Sequence, residues 1–312
     1  MQGLGAPNPC NFQTLRENGH NLMQRTQDIA YAQHLSRRRA IPLRFLYTFP
    51  WWALILLLVG AYIYILIFSD EFYINIFNQL RDGIGMTLSV SFISYSCAMI
   101  IGLVLGLIRS QPPKPAYGFW GNVFGLLRVV LYNLATLYVS IIRGIPVLVW
   151  LLIIAFVFTP AFRQFVEATF GIQLELRGTS PTSAIIALAT AYGAFLSETF
   201  RAGIQSIERG QIEAARSLGM NYFQVMKLVV LPQAVRRILP PLGNDMVAMI
   251  KDSSLVAILG INDITQLAKI RSSTNFRFFE TYIVAAMLYL TMTIIGSILV
   301  RWMERRLQTA SR

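Results

Sequence analysis

Apolar residues along this chain gather into long blocks set between short polar or basic stretches. Trp51 to Phe68 and Ile84 to Ile108 contain no charged residue, and Val147 to Phe162, Thr182 to Ser197, Met246 to Ile261 and Tyr282 to Val300 are predominantly apolar. A helix rises ~1.5 Å per residue, so a hydrocarbon core ~30 Å thick takes about 20 residues to cross. The pattern predicts membrane-crossing helices at these six places, and so an all-α transmembrane protein of the polytopic kind.

Composition points the same way. Of the residues, 55% are hydrophobic and only 13% charged, with a mean hydropathy of +0.53. That is more apolar material than a soluble core of this size uses. A net charge of +12 would suggest nucleic acid in a soluble protein. Here the basic residues flank the apolar blocks, which is a signature of membrane topology instead.

Arg37, Arg38, Arg39 and Arg44 precede the first block, Arg109, Lys114 and Arg128 follow the second, and Arg301, Arg305 and Arg306 follow the last. Positive charge favours the cytoplasmic side. Six crossings from an inside N-terminus then place both termini and Gln205 to Arg237 inside. Ser69 to Asp82, Thr159 to Pro181 and Asn262 to Thr281 fall outside. Lys269, Arg271 and Arg277 land on the outer side, against the trend.

Cys10 is expected in the cytoplasm and Cys97 within a span, so no disulfide is expected. The first apolar run is long enough to remain as an anchor, and no signal cleavage is predicted. Residues 1–49 read as a polar cytoplasmic tail, 50–72 as a first transmembrane segment, and 307–312 as a cytoplasmic C-terminal tail. Leu22 to Leu46 reads equally as an amphipathic surface segment and as a solvated linker. No lysine follows a glycine in a phosphate-binding loop, and neither His20 nor His34 belongs to a metal-ligating pattern.

The connector Ser206 to Pro232 is polar yet rich in helix formers. Its pattern predicts a helix over Gln211 to Leu218 ended by Gly219, and a second over Asn221 to Leu231 stopped by Pro232. Glu213 complements the first helix's dipole, and Ala214 and Ala215 leave a low-profile face. Such a loop fits both a docking knob and an ordinary amphipathic connector.

The same residues resemble the cytoplasmic loop of ABC importer permeases: E-A-A, three residues, G, nine residues, an aliphatic, one residue, then L-P. Glu213, Ala214, Ala215, Gly219, Leu231 and Pro232 fall in register, with Val229 in place of the usual isoleucine. Thr87 to Arg109, Tyr138 to Leu152, Gly193 to Gln211 and Leu231 to Gly260 are similar to segments of the polar amino acid branch of that family. Ile145 replaces the threonine of its R-G-T-P segment. The likeness covers residues 83–306, where the family core has five spans, so the first span is an addition. It implies a permease of a prokaryotic inner membrane that importers use to carry polar amino acids. It also implies coupling through the 206–232 loop to two ATPase subunits, which bind the ATP and Mg. A second permease subunit, the same or homologous, and an extracytoplasmic binding protein complete the expected assembly. No catalytic site, cofactor or nucleic acid is expected on this chain.

Ionisable residues in spans are costly and usually have a task. Lys251 and Asp252, followed by Ser253 and Ser254, suggest a helix break lining a wet cavity, or an inward ion pair with another span. Glu198 and Arg201, three residues apart, fit a pair along one helix, or a carboxylate for a substrate ammonium. Arg143, beside Gly144 and Pro146, marks a kink, and fits either the substrate pathway or snorkelling to the inner surface. An ion-coupled transporter would use Lys251, Asp252 and Glu198 as a relay, but has no use for the 213–232 loop. An intramembrane hydrolase built on Ser253 or Ser254 lacks a histidine in any span.

Overall fold

The structure, a computed structural model, describes residue 47 and residues 49–113 and 119–309. The N-terminal tail, with Cys10 and both histidines, lies outside the described residues. So do Lys114 and the last three residues. Every regular element among the described residues is helical. Two compact units divide at residues 63 and 64.

Helix α1, Trp51–Ser69, carries Trp51 and Trp52 at its start, the residue type that favours the membrane interface. Its apolar side chains, such as Leu56, Leu57 and Leu58 in the first unit, are exposed, as a lipid-facing helix requires. The second unit begins within this helix. Helix α2, Glu71–Leu80, is capped by Asp70 and leads into α3, Asp82–Ser110. Two pieces follow: α4, Phe119–Gly144, and, after the Ile145–Pro146 break, α5, Val147–Ile153. A π turn over Ile154–Phe158 joins α5 to α6, Thr159–Phe170, which ends at Gly171 with φ +66°. Helix α7, Pro181–Gln205, precedes the connector.

Helix α7 is the centre of this unit. Ala184, Ala187, Ala191, Gly193, Ala194 and Ser197 are buried, and their small side chains let neighbouring backbones approach closely. A Cβ added at Gly102 would meet Leu196, and one at Gly106 would meet Phe200. Gln205 donates to the Ser110 carbonyl at 3.0 Å. The contacts advance together along both helices, so α3 and α7 run parallel and end on the same side, that of the connector.

That parallel arrangement fixes how the intervening chain returns. Arg128 reaches Gln111 near the connector end at 3.5 Å. Further along, the Tyr138 hydroxyl donates to the Thr190 carbonyl at 2.8 Å and Trp150 to the Thr190 hydroxyl at 2.9 Å. Thr159 meets Ser183 at the far end, 3.4 Å apart. Val123–Gly144 and Val147–Phe170 are each long and apolar enough to cross a membrane. Their contacts with α7 make them two parts of one broken passage. The first part was absent from the six blocks, because Arg128 and Asn133 interrupt its apolar run. Helix α6 also runs through the stretch Thr159 to Pro181 that the sequence assigned to a loop.

Beyond the connector, α10 spans Leu231–Asp252, a 3-10 segment Ser253–Leu259 follows, and Gly260, with φ +74°, turns the chain. The expected span over Met246 to Ile261 is therefore corrected. The α-helix starts 15 residues earlier and stops at Asp252. Helix α11, Ile264–Asn275, fills most of the expected outer loop, and α12, Phe278–Thr309, returns to the connector side. The returns close at the far end on Asp263, fully buried, which accepts from the Gln266 backbone at 2.8 Å and the Tyr289 hydroxyl at 2.9 Å.

Candidate functional site: the connector and the cleft beneath it

The connector begins with α8, Arg209–Ser217, and its end is a complete Schellman cap. Gly219, at φ +79°, donates to the Arg216 carbonyl at 2.9 Å, and Met220 to the Ala215 carbonyl at 3.3 Å. Met220 and Ala215 then join the same apolar cluster. Asn221 starts α9, Tyr222–Val225, through a capping box with Gln224.

Pro232 does not stop this second helix, contrary to expectation. A π turn over Met226–Val230 carries α9 into α10, with the Leu231 N–H bonded to the Met226 carbonyl. The wider turn accommodates a ring that has no N–H to offer and crowds the preceding turn. Pro160 follows the Ile154–Phe158 π turn in the same way, with the Thr159 N–H bonded to the Ile154 carbonyl.

One face of the connector is fixed to the spans. Ala215, Val225 and Val230 are buried with Ala234 and Ile238. Gln233 donates to Gln211 at 2.6 Å, and Arg237 to the Ser206 carbonyl. Glu213, Ala214 and Gly219 lie on the exposed side, so the two alanines face opposite ways. Leu218 and Phe223, 83% and 81% exposed, flank the cap. Sequence reasoning passed over both, although apolar residues around a glycine in a polar loop were the available signal. Leu231 and Pro232 are exposed at the start of α10.

Beneath the connector lies a cleft of about 550 Å³ lined by Arg143, Phe195, Glu198, Thr199, Arg237 and Asp245, among others. Arg143 sits 5.9 Å over the Phe195 ring. Glu198 lies between two guanidinium groups, with Arg109 at 3.1 Å and Arg201 on its other oxygen. Arg143, Arg237, Glu198 and Asp245 thus share one cleft, with Glu198 already paired to Arg109 and Arg201. Arg237, Thr199 and Asp245 were not among the sequence candidates. Gly144 and Pro146 form the α4–α5 break beside it.

Lys251, Asp252, Ser253 and Ser254 do not line this cleft. The Tyr192 hydroxyl donates to the Asp252 carboxylate at 2.7 Å. Ser253 is buried and donates to the Ile250 carbonyl at 2.7 Å, while Ser254 is half-buried and Lys251 exposed. Glu198→Gln and Arg109→Met are each expected to lower the unfolding midpoint of the purified chain. The double variant should fall by less than the sum, because both remove one shared ion pair. Additive losses would show that the pair is not coupled.

Comparison with known proteins agrees with this architecture. Residues 118–309 match the family described as the binding-protein-dependent transport system inner membrane component. The chain is 34% identical over 242 residues to the probable amino-acid permease protein YxeN of Bacillus subtilis (strain 168), covering 78% of this chain and 97% of that one. It is 31% identical to the glutamine transport system permease protein GlnP of Escherichia coli (strain K12), covering 73% and 93%. A solved amino acid ABC transporter with histidines superposes with a TM-score of 0.59 at 35% identity, covering 73% of this chain and 94% of that one. This chain belongs to the family of binding-protein-dependent transport system inner membrane components. It is an ABC transporter permease of the multi-pass, all-helical kind.

Proposed function

We propose that this chain is the permease subunit of an ATP-driven importer of polar amino acids, with its connector seated on an ATPase subunit in the cytoplasm. The observation that carries the docking role is the connector itself. One face is packed onto α10, where Ala215, Val225 and Val230 are buried with Ala234 and Ile238, while Leu218 and Phe223 are exposed. The substrate class rests on the amino acid names of the relatives and on the mixed charge of the cleft. Arg143 and Arg237 there offer partners to a carboxylate, and Asp245 offers one to an ammonium group. ATP and Mg belong to the ATPase partners, a second permease completes the membrane part, and an extracytoplasmic binding protein delivers the substrate. Both termini and the connector are cytoplasmic.

Purification in mild detergent is expected to retain an ATPase subunit on the wild-type chain and to lose it on Glu213→Lys. Equal retention on both would remove the docking role. Orientation is tested with single cysteines in a chain lacking Cys10 and Cys97. An impermeant thiol reagent on intact cells should label Thr179→Cys and Ser273→Cys but not Ser206→Cys. These three positions are exposed, whereas Ser272 is fully buried and cannot report. The reverse pattern would place the connector outside and end the ATPase reading.

A further inference from the structure

Asp82 and Arg271 line one cavity of about 350 Å³ at the end of α3 away from the connector. Its other walls are Gln79 of α2 and Leu267, Ile270 and Thr274 of α11. Neither charged group makes an ion pair or a side-chain hydrogen bond among the described residues. The Arg271 Nε is buried with no partner, and so is the Asn275 Nδ2 one turn further along the helix. Buried donors of this kind nearly always have an acceptor, so the cavity calls for an anion beside Arg271. The Asp82 carboxylate, on another helix, calls for a cation. The walls are fixed, because a Cβ added at Gly83 would stand 2.6 Å from the Ile264 N, so that α3 and α11 meet backbone to backbone there.

We propose that this cavity holds the headgroup of an aminophospholipid, with its phosphate on Arg271 and its primary ammonium on Asp82. A ligand carrying both charges satisfies both side chains at once, and a guanidinium matches phosphate oxygens bidentately. Depth favours a lipid. The uncharged run of α3 begins at Ile84, two residues or about 3 Å beyond Asp82, so the cavity lies where headgroups meet the hydrocarbon core. Leu267 and Ile270 give it an apolar wall, and Ile270 is exposed, so the cavity opens beside surface suited to acyl chains. A free zwitterion has no use for that surface. A headgroup there also gives a task to Arg271, one of the cations that the sequence placed on the outer side against the trend. The site is separate from the docking connector and from the charged cleft, and it needs only that α3 enters the bilayer at this depth.

The test uses the full chain purified in mild detergent with whatever subunits it retains. Dioleoyl phosphatidylethanolamine, phosphatidylglycerol and phosphatidylcholine are added separately at equal concentration, and retained lipid is read by native mass spectrometry. Phosphatidylethanolamine is expected to be retained about tenfold over the other two, since phosphatidylglycerol lacks the ammonium and the choline nitrogen carries no N–H. Asp82→Asn should remove the preference over phosphatidylglycerol, and Arg271→Gln should cut phosphatidylethanolamine retention by a similar factor. Lys269→Gln, at an exposed cation of α11 outside the cavity, should change neither. The comparison of lipids on the wild-type chain needs no variant, so a variant that fails to fold leaves the proposal testable. Equal retention of the three lipids, or retention unchanged by both Asp82→Asn and Arg271→Gln, would overturn it. Added glutamine is expected to leave the lipid bound, and displacement would assign the cavity to a free amino acid instead. No step depends on transport or on an ATPase, so the importer reading stands or falls by its own tests.

Discussion

Gly219→Pro is expected to yield a chain that inserts and accumulates normally but supports no ATP-driven uptake. The native φ of +79° is closed to proline, whose ring holds φ near −65°, and the N–H that bonds the Arg216 carbonyl is lost. The Schellman cap then fails, and Leu218 and Phe223 no longer present one surface. Gly219→Ala should be milder, because a left-handed conformation costs an alanine about 1–2 kcal/mol while keeping the hydrogen bond. Phe223→Asp separates docking from folding, since an exposed side chain contributes little to the packed unit. The check is ATP hydrolysis by the reconstituted complex, with and without binding protein and amino acid. Stimulation is expected to disappear with Gly219→Pro and Phe223→Asp, and full stimulation in both would refute coupling through this surface.

Gly102→Leu is expected to have the largest effect on the fold. A Cβ at this position would stand 2.7 Å from the Leu196 Cβ and 3.1 Å from backbone atoms of α7. Backbone cannot step aside as a side-chain tip can. Overpacking of this kind typically costs about 1–3 kcal/mol, and a leucine adds three further carbons to the strain. Helices α3 and α7 would be forced apart along the contact that organises the core. Gly85→Leu, on the same helix, is the control, because nothing lies within 4 Å of its added Cβ. Thermal unfolding in detergent should show a large drop for Gly102→Leu and little change for Gly85→Leu. Equal midpoints would mean that the close approach does not hold the helices together.

The helices most legible in the sequence were those whose apolar runs are unbroken. Ile84 to Ile108, Thr182 to Ser197 and Tyr282 to Val300 all lie within α3, α7 and α12. Helix α10 was hidden for a physical reason. Arg236, Arg237, Asn244 and Asp245 interrupt it before Met246, and Arg237 and Asp245 line the cleft rather than face lipid. Hydropathy therefore detected only the later, apolar part and misplaced the passage. The left-handed glycine that ends α8 was readable from chemistry, since only Gly219 breaks the helix-forming run.

Pro232 misled because a proline is compatible with a continuing helix when the preceding turn is widened, and a single sequence does not announce a π turn. In the cleft, Arg143 and Glu198 were singled out as charges in apolar surroundings. Asp245 escaped because it falls between the connector, read as ending by Arg237, and the apolar run, read as starting at Met246. Lys251 and Asp252 are adjacent in sequence, but the structure sends them to different surroundings, Asp252 to Tyr192 and Lys251 to an exposed position.

The π turn at Met226–Val230 also sets a direction in space. Successive residues of an α-helix are rotated by about 100°, and a π turn holds one residue more than an α turn. The extra residue therefore swings everything before it about the axis of α10 by roughly that angle. Tyr222 and Phe223 point where they do because of this one residue. Deleting one position between Met226 and Val230 would close the widened turn that accommodates Pro232 and turn Tyr222 and Phe223 to a different azimuth without removing either side chain.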